Sequence, residues 1–232
     1  MKRMFLFVVV FALCSSFTSI NDGISKGEVK VESTTDATET LASDTNQSVI
    51  YKHYLRQITE KPEVVNWLTW QEAMELQKVE PRKIIVDLYT EWCVWCERME
   101  KATFKHPVIA QYINENFYPV KFDAETRETI NFRGRDFNYE SQVERGYNMF
   151  SVYLTRGQLS YPSVVFLDEK ANNPQPVKGF QNPVVMDKLL HFFGENHYLT
   201  HDWGIFNQLY ISPLQKEWKD KQGKKRLTEK KY

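Results

Sequence analysis

The sequence predicts an α/β domain in which a central mixed sheet is flanked by helices. Three observations carry this. Residues 83–89 (KIIVDLY) and 163–167 (SVVFL) are short, β-branched and almost continuously apolar, as strands buried on both faces are. Segments with apolar residues at helical spacing alternate with such runs, which is the pattern of a helix-covered sheet. Hydrophobic residues make up 42% of the 232 positions and aromatic residues 14%, enough to enclose a core. At this length one domain with appendages, or two small domains, is expected.

The first element is read as a targeting segment. Residues 1–19 open on Lys2 and Arg3 and continue as an unbroken apolar run to Cys14. Small residues follow (Ser15, Ser16, Thr18, Ser19), where a signal peptidase would cut. The run is too short to span a bilayer, which takes about 20 apolar residues. Cys14 offers a second reading, as the lipidated cysteine of a membrane-anchored lipoprotein. Leu13 is large for the position before such a cysteine, so cleavage beyond Cys14 is preferred. Residues 20–60 are expected to form a flexible linker, because 33–48 (STTDATETLASDTNQS) is polar and lacks apolar periodicity.

The folded domain is expected over 61–210. Residues 67–68 read as a short strand. Thr69 and Glu72 have the spacing of a capping box before a helix over 70–79, which Pro81 stops. The strand 83–89 follows, then a helix over 93–105 that His106-Pro107 breaks. A short helix over 108–116 leads into a strand over 117–123. Residues 124–159 read as an insertion, with a hairpin or loop around Gly134 and a helix over 143–154. The strand 163–167 turns through 168–174 into a strand over 176–180. Pro183 opens a last helix through 193, with Val184, Val185, Leu189, Leu190 and Phe193 at helical spacing. Residues 211–232 are expected to be a basic tail. Within it, 216–231 carries eight Lys/Arg against three Asp/Glu, read as solvated, with contact to an anionic lipid or acidic partner as the sharper alternative.

Three cysteines exclude a disulfide-stapled miniprotein, and a net charge of zero leaves no global case for nucleic-acid binding. If Cys14 leaves with the targeting segment, two cysteines remain, as Cys93-Val94-Trp95-Cys96. They fall where a buried strand meets a helix start. There the unpaired N–H groups and the helix dipole stabilise a thiolate on Cys93. Cys96, one turn later, is within reach to resolve a mixed disulfide. A structural zinc site needs four ligands, and His53, His106, His191, His197 and His201 are scattered, so no metal site is expected. A purely structural disulfide would close a very small loop and constrain the unfolded chain little.

The segment Val86-Asp87-Leu88-Tyr89-Thr90-Glu91-Trp92-Cys93 resembles the strand-to-active-site segment of the thioredoxin superfamily. In that family an acid is buried six positions before the nucleophilic cysteine, where Asp87 stands, and a Trp precedes the cysteine, as Trp92 does. A Lys on the next strand faces the acid, and Lys121 fits. A cis-proline opens the third core strand, and Tyr161-Pro162-Ser163 matches it. The resemblance covers about residues 67–194. It is nearest to exported bacterial thioredoxin-like proteins with a WCxWC site and an insertion before the cis-Pro strand. It implies a thioredoxin-like fold in which Cys93 attacks, Cys96 resolves, Asp87 accepts the Cys96 proton and Lys121 tunes Asp87. Trp92 and Trp95 would rim the sulfurs, and the backbone of Tyr161 beside Pro162 would pair with an extended substrate.

The expected protein is an exported, periplasmic thiol-disulfide oxidoreductase with no cofactor beyond the redox-active Cys93–Cys96 disulfide. Its partners would be protein thiols and disulfides and an electron donor or acceptor. Nucleic acid is not among them, and membrane association through a lipidated Cys14 is not favoured. A reductase of protein disulfides is preferred over an isomerase, because no dimerisation segment is visible. Val94-Trp95 between the cysteines does not fix the redox direction by inspection. Two other classes stay open. One is a soft-metal chaperone using the dithiol for copper, against which stands the lack of a Met- or His-rich tract beside Cys96. The other is a non-catalytic interaction module.

Overall fold

The structure, a computed structural model, describes residues 36–141 and 145–229. The expected targeting segment 1–19 with Cys14, residues 20–35, Val143 and residues 230–232 lie outside the described residues.

The chain begins with α1 (Asp36–Glu60) and α2 (Trp70–Val79), then β1 (Lys83–Tyr89). Helix α3 (Val94–Met99) runs directly into a π-helical turn, Glu100–Phe104. Next come α4 (Pro107–Asn116), β2 (Phe117–Asp123), β3 (Ile130–Phe132), β4 (Arg135–Phe137), β5 (Tyr139–Glu140) and β6 (Tyr147–Asn148). The chain closes through α5 (Met149–Leu154), β7 (Ser163–Leu167), β8 (Gln175–Lys178), α6 (Pro183–Gly194), α7 (Trp203–Leu209) and α8 (Gln215–Glu229).

The main sheet has the order β2-β1-β7-β8, with β1 parallel to β2 and the other pairs antiparallel. The expected strand at 67–68 is a single bridging residue: Leu68 pairs with Val120 and extends the sheet beyond β2. Alternation along the strands decides what lies on each face. Ile84, Val86 and Leu88 enter a core with Trp70, Leu76, Phe122 and Phe150. Ile85 enters the opposite core with Met99, Ile113 and Leu190, from α3, α4 and α6. Asp87 follows Ile85 at period two, and Lys121 follows Phe117 on β2 in the same way. Both therefore belong to the side covered by α3. The mixed sheet between two helical layers is the thioredoxin-like fold that the sequence predicts.

Three boundaries differ from expectation. Residues 20–60 are not a tether throughout, because α1 occupies Asp36–Glu60 and its second half belongs to the core. Tyr54 is 1% exposed, donates to the Phe117 carbonyl at 3.2 Å and meets Tyr118 edge-on at 5.4 Å. Ile50, Tyr51 and Ile58 pack beside it at helical spacing, a signal that the polar stretch before them obscures. Residues 211–232 are likewise not a plain tail. Leu214 is buried in the α3-side core, and Glu217 of α8 approaches His106 at 3.4 Å. The helix expected at 143–154 starts only at Met149, with Asn148 accepting from the Phe150 N–H at 2.9 Å.

The insertion is a hairpin pinned by aromatic packing. Phe132 pairs with Arg135 across a two-residue turn in which Arg133 and Gly134 both have positive φ, the geometry glycine favours. Phe132 and Phe150 then meet Trp70 at 5.2 and 4.6 Å. This fixes the 124–159 segment to α2 and leaves its first residues, with Glu125, beside Trp92.

Candidate functional site

Thr90 follows the end of β1, and the chain turns so that the Cys93 N–H donates to the Thr90 carbonyl at 3.1 Å. Cys93 is the N-cap of α3. Its sulfur accepts from the Cys96 N–H at 3.1 Å, the placement in which a helix start stabilises a thiolate. Cys93 and Cys96 form a disulfide and are both buried. Two of the expected site residues are thus covalently joined at the head of the expected helix.

The α3 side of the sheet carries a charge cluster. Asp87 is 2% exposed and sits in register with Lys121 on the adjacent strand. Lys121 Nζ is 3.9 Å from Asp87 Oδ2 and 2.7 Å from Glu100 Oε2. Its ammonium also lies 5.4 Å from the ring centres of Trp67 and Tyr89. The lysine is therefore held between two carboxylates, not extended into solvent. Burial pushes the Asp87 carboxyl up to about 7; Lys121 opposes this and the Glu100 charge adds to it. Asp87 Oδ1 and Thr90 Oγ1 are buried without hydrogen-bond partners. Each is a polar atom in a place that asks for a proton or a water.

The rim is aromatic. Trp92 is 49% exposed and Trp95 is 54% exposed, beside an exposed Val94. Trp92 donates from Nε1 to Glu125 of the insertion at 2.8 Å and meets Tyr161 edge-on at 6.0 Å. The Arg145 guanidinium lies 4.4 Å over the Trp92 ring. Trp95 leans on Phe180 at 5.8 Å and carries Arg98 at 4.6 Å. The Tyr161–Pro162 peptide bond is cis. The Pro162 carbonyl accepts from the Gly179 N–H at 2.8 Å, and the β7 ladder begins one residue later.

The structure joins Cys93 to Cys96, sets Lys121 beside Asp87 and brings Trp92 against Tyr161. Sequence reading missed Glu100, Thr90, Glu125 and Phe180. Glu100 had a usable signal, since it stands four residues after Cys96 and so on the same helix face. Phe180 and Glu125 are near Trp95 and Trp92 only through tertiary structure. Among the described residues no group of three or more His, Cys, Asp and Glu is placed to hold a metal ion. No helix among them is long and apolar enough to cross a membrane.

Residues 46–197 match a family model described as Thioredox_DsbH, protein of unknown function, DUF255. The uncharacterized protein B0495.5 of Caenorhabditis elegans is 29% identical over 130 residues, covering 48% of this chain and 17% of that protein. Spermatogenesis-associated protein 20 of Mus musculus is 33% identical over 105 residues, covering 45% of this chain and 13% of that protein. The chain thus matches less than a fifth of the length of these curated relatives. Among solved structures, a thioredoxin-fold protein from Helicobacter pylori aligns over 55% of this chain and 78% of its own, at 14% identity and TM-score 0.41. A protein described as DsbH oxidoreductase aligns over 51% and 74%, at 16% identity and TM-score 0.36.

Proposed function

Because the chain belongs to the Thioredox_DsbH, DUF255, family, we propose that it is a thiol-disulfide oxidoreductase and that it reduces protein disulfides outside the cytoplasm. The observation that carries this is the Cys93–Cys96 pair at the head of α3, which follows the strand that carries the buried Asp87. In the reduced state the Cys93 thiolate attacks one sulfur of a target disulfide. That bond breaks, the far sulfur leaves as a thiolate, and a mixed disulfide forms. Cys96 then loses its proton and attacks Cys93. The Cys93–Cys96 bond forms and the second target sulfur leaves. Two electrons pass from the dithiol to the target, and a thiol-bearing donor restores them. No cofactor beyond the cysteine pair enters.

Asp87 takes the Cys96 proton, directly or through water, and Lys121 tunes it by charge. A carboxyl held near 7 suits a group that must both accept and release a proton near neutral pH. Trp92, Trp95 and the Tyr161-Pro162 segment receive the target polypeptide. The placement outside the cytoplasm, in the periplasm, rests on the leader-like residues 1–19 alone.

The test is reduction of a model protein disulfide by the pre-reduced chain, with Cys93→Ser as the control, and a redox titration of the pair. Cys93-dependent reduction is the expected result. A potential near about −120 mV, that of a strong oxidant, would overturn the reductase direction.

A further inference from the structure

The family match ends at residue 197, and the chain beyond it returns to Trp95, between the two cysteines. Leu214 anchors this return in the core, and the Glu217–His106 contact fixes the start of α8. Trp218, the next residue, lines a groove of about 570 Å³ together with Trp95, Phe180, Ala102, Arg98 and Lys101. Trp95 immediately precedes Cys96, so one wall of the groove stands next to the reactive pair. The opposite wall comes from a helix outside the matched family region. The lining holds no carboxylate: its ionised groups are the Arg98 guanidinium, stacked on Trp95, and the Lys101 ammonium, which pairs with Glu97 outside the groove.

We propose that this groove is a subsite for the polypeptide carrying the target disulfide. It takes an apolar side chain one or two residues from the target cysteine and favours an acidic residue beside it. The inference rests on the oxidoreductase reading and gives it a substrate class. A mixed disulfide at Cys93 fixes the register of the bound chain. Its next residues then fall within about 3.5 Å per position of the sulfur, and Trp95 stands two residues after Cys93 in the chain. The indole faces of Trp95 and Trp218 and the Phe180 ring offer apolar surface for a leucine- or phenylalanine-like side chain. The Arg98 guanidinium, stacked on Trp95, selects a carboxylate, because the lining itself holds no acidic group.

The test uses the reduced full chain and short synthetic peptides, each with one cysteine held as a thionitrobenzoate mixed disulfide. The Cys93 thiolate attacks the peptide sulfur and thionitrobenzoate leaves with the electron pair, so its absorbance reports the capture rate. A peptide with Leu beside the cysteine should be captured about tenfold faster than one with Ala, the usual worth of a side chain fitted to an apolar pocket. Trp218→Ala should bring that ratio close to one. Ala102→Phe, which fills the groove and leaves α8 intact, should do the same. Arg98→Gln should remove a preference for Glu over Gln and leave the Leu preference in place. A wild-type Leu/Ala ratio near one, or a ratio that survives both groove variants, overturns the subsite. Self-association that Trp218→Ala abolishes would seat a second copy in the groove and overturn it as well. Failure of the wild type to capture any peptide would instead overturn the oxidoreductase reading beneath it.

Discussion

Replacing Asp87 with Asn tests the central electrostatic feature of the site. Burial raises the Asp87 carboxyl from the ordinary 3.8 to about 7, so the folded chain binds this proton more tightly than the unfolded chain. The resulting stability is fully present below the unfolded value, declines as pH rises, and is gone above about 7. Each pH unit is worth about 1.4 kcal/mol, so ionising Asp87 costs the folded state about 4 kcal/mol across the window. Asn carries no charge and escapes that cost. It brings an amide into a place where Oδ1 has no partner, at about 1–2 kcal/mol. Lys121 has a second partner in Glu100, at 2.7 Å, that the substitution does not remove.

The expected balance therefore changes sign with pH. At pH 8 Asp87→Asn should be more stable than wild type by about 2–3 kcal/mol; at pH 4 it should be less stable by about 1 kcal/mol. Urea denaturation of the oxidised chain at the two pH values reads both numbers, with the disulfide kept intact in each sample. A difference between the proteins that does not move with pH would refute the reasoning, because it would mean that the Asp87 charge is solvated.

Three further outcomes rest on the same contacts. Glu100→Gln removes a negative charge that raises Asp87, so the pH window of declining stability should move down; an unmoved midpoint in the same titration would count against Glu100. Cys96→Ser should accumulate the mixed disulfide with Cys93, seen as a reducible mass increase, and a variant that still turns over would exclude Cys96 as the resolving thiol. Tyr54→Ala should cost about 3–5 kcal/mol by calorimetry or denaturation, as loss of a buried aromatic ring does. A loss within about 0.5 kcal/mol, typical of a surface change, would mean that α1 is not part of the domain.

The sheet and the chemistry were legible for different reasons. KIIVDLY and SVVFL are buried on both faces, so local composition alone marks them as strands. Cys93 and Cys96 were legible from their own spacing at a strand-to-helix junction, whereas Asp87, Lys121 and Pro162 were legible through the resemblance to the thioredoxin superfamily, which matches each to a local motif. Glu100 was half legible: its helix position is plain, but its role depends on Lys121 reaching across from β2. The boundaries failed where a few apolar residues are diluted by polar ones. Tyr54 in α1 and Leu214 before α8 each anchor a segment whose average composition is that of a solvated chain. Burial of one or two large side chains decides docking, and averages conceal it.

The cluster of Asp87, Lys121 and Glu100 also bears on the direction of electron flow. Closing the Cys93–Cys96 bond releases protons and opening it consumes them. A group that serves only one direction would sit far from the working pH on one side. Asp87, raised to about 7, can take up and give back a proton near neutral pH and so serves either direction. Burial raises it, the Lys121 ammonium opposes that and the Glu100 carboxylate adds to it. Under the proposed role, then, Asp87 sets how fast the pair exchanges and not which way. Direction falls to the relative stability of thiolate and disulfide at the head of α3, and to whichever partner reaches the Trp92–Trp95 rim first.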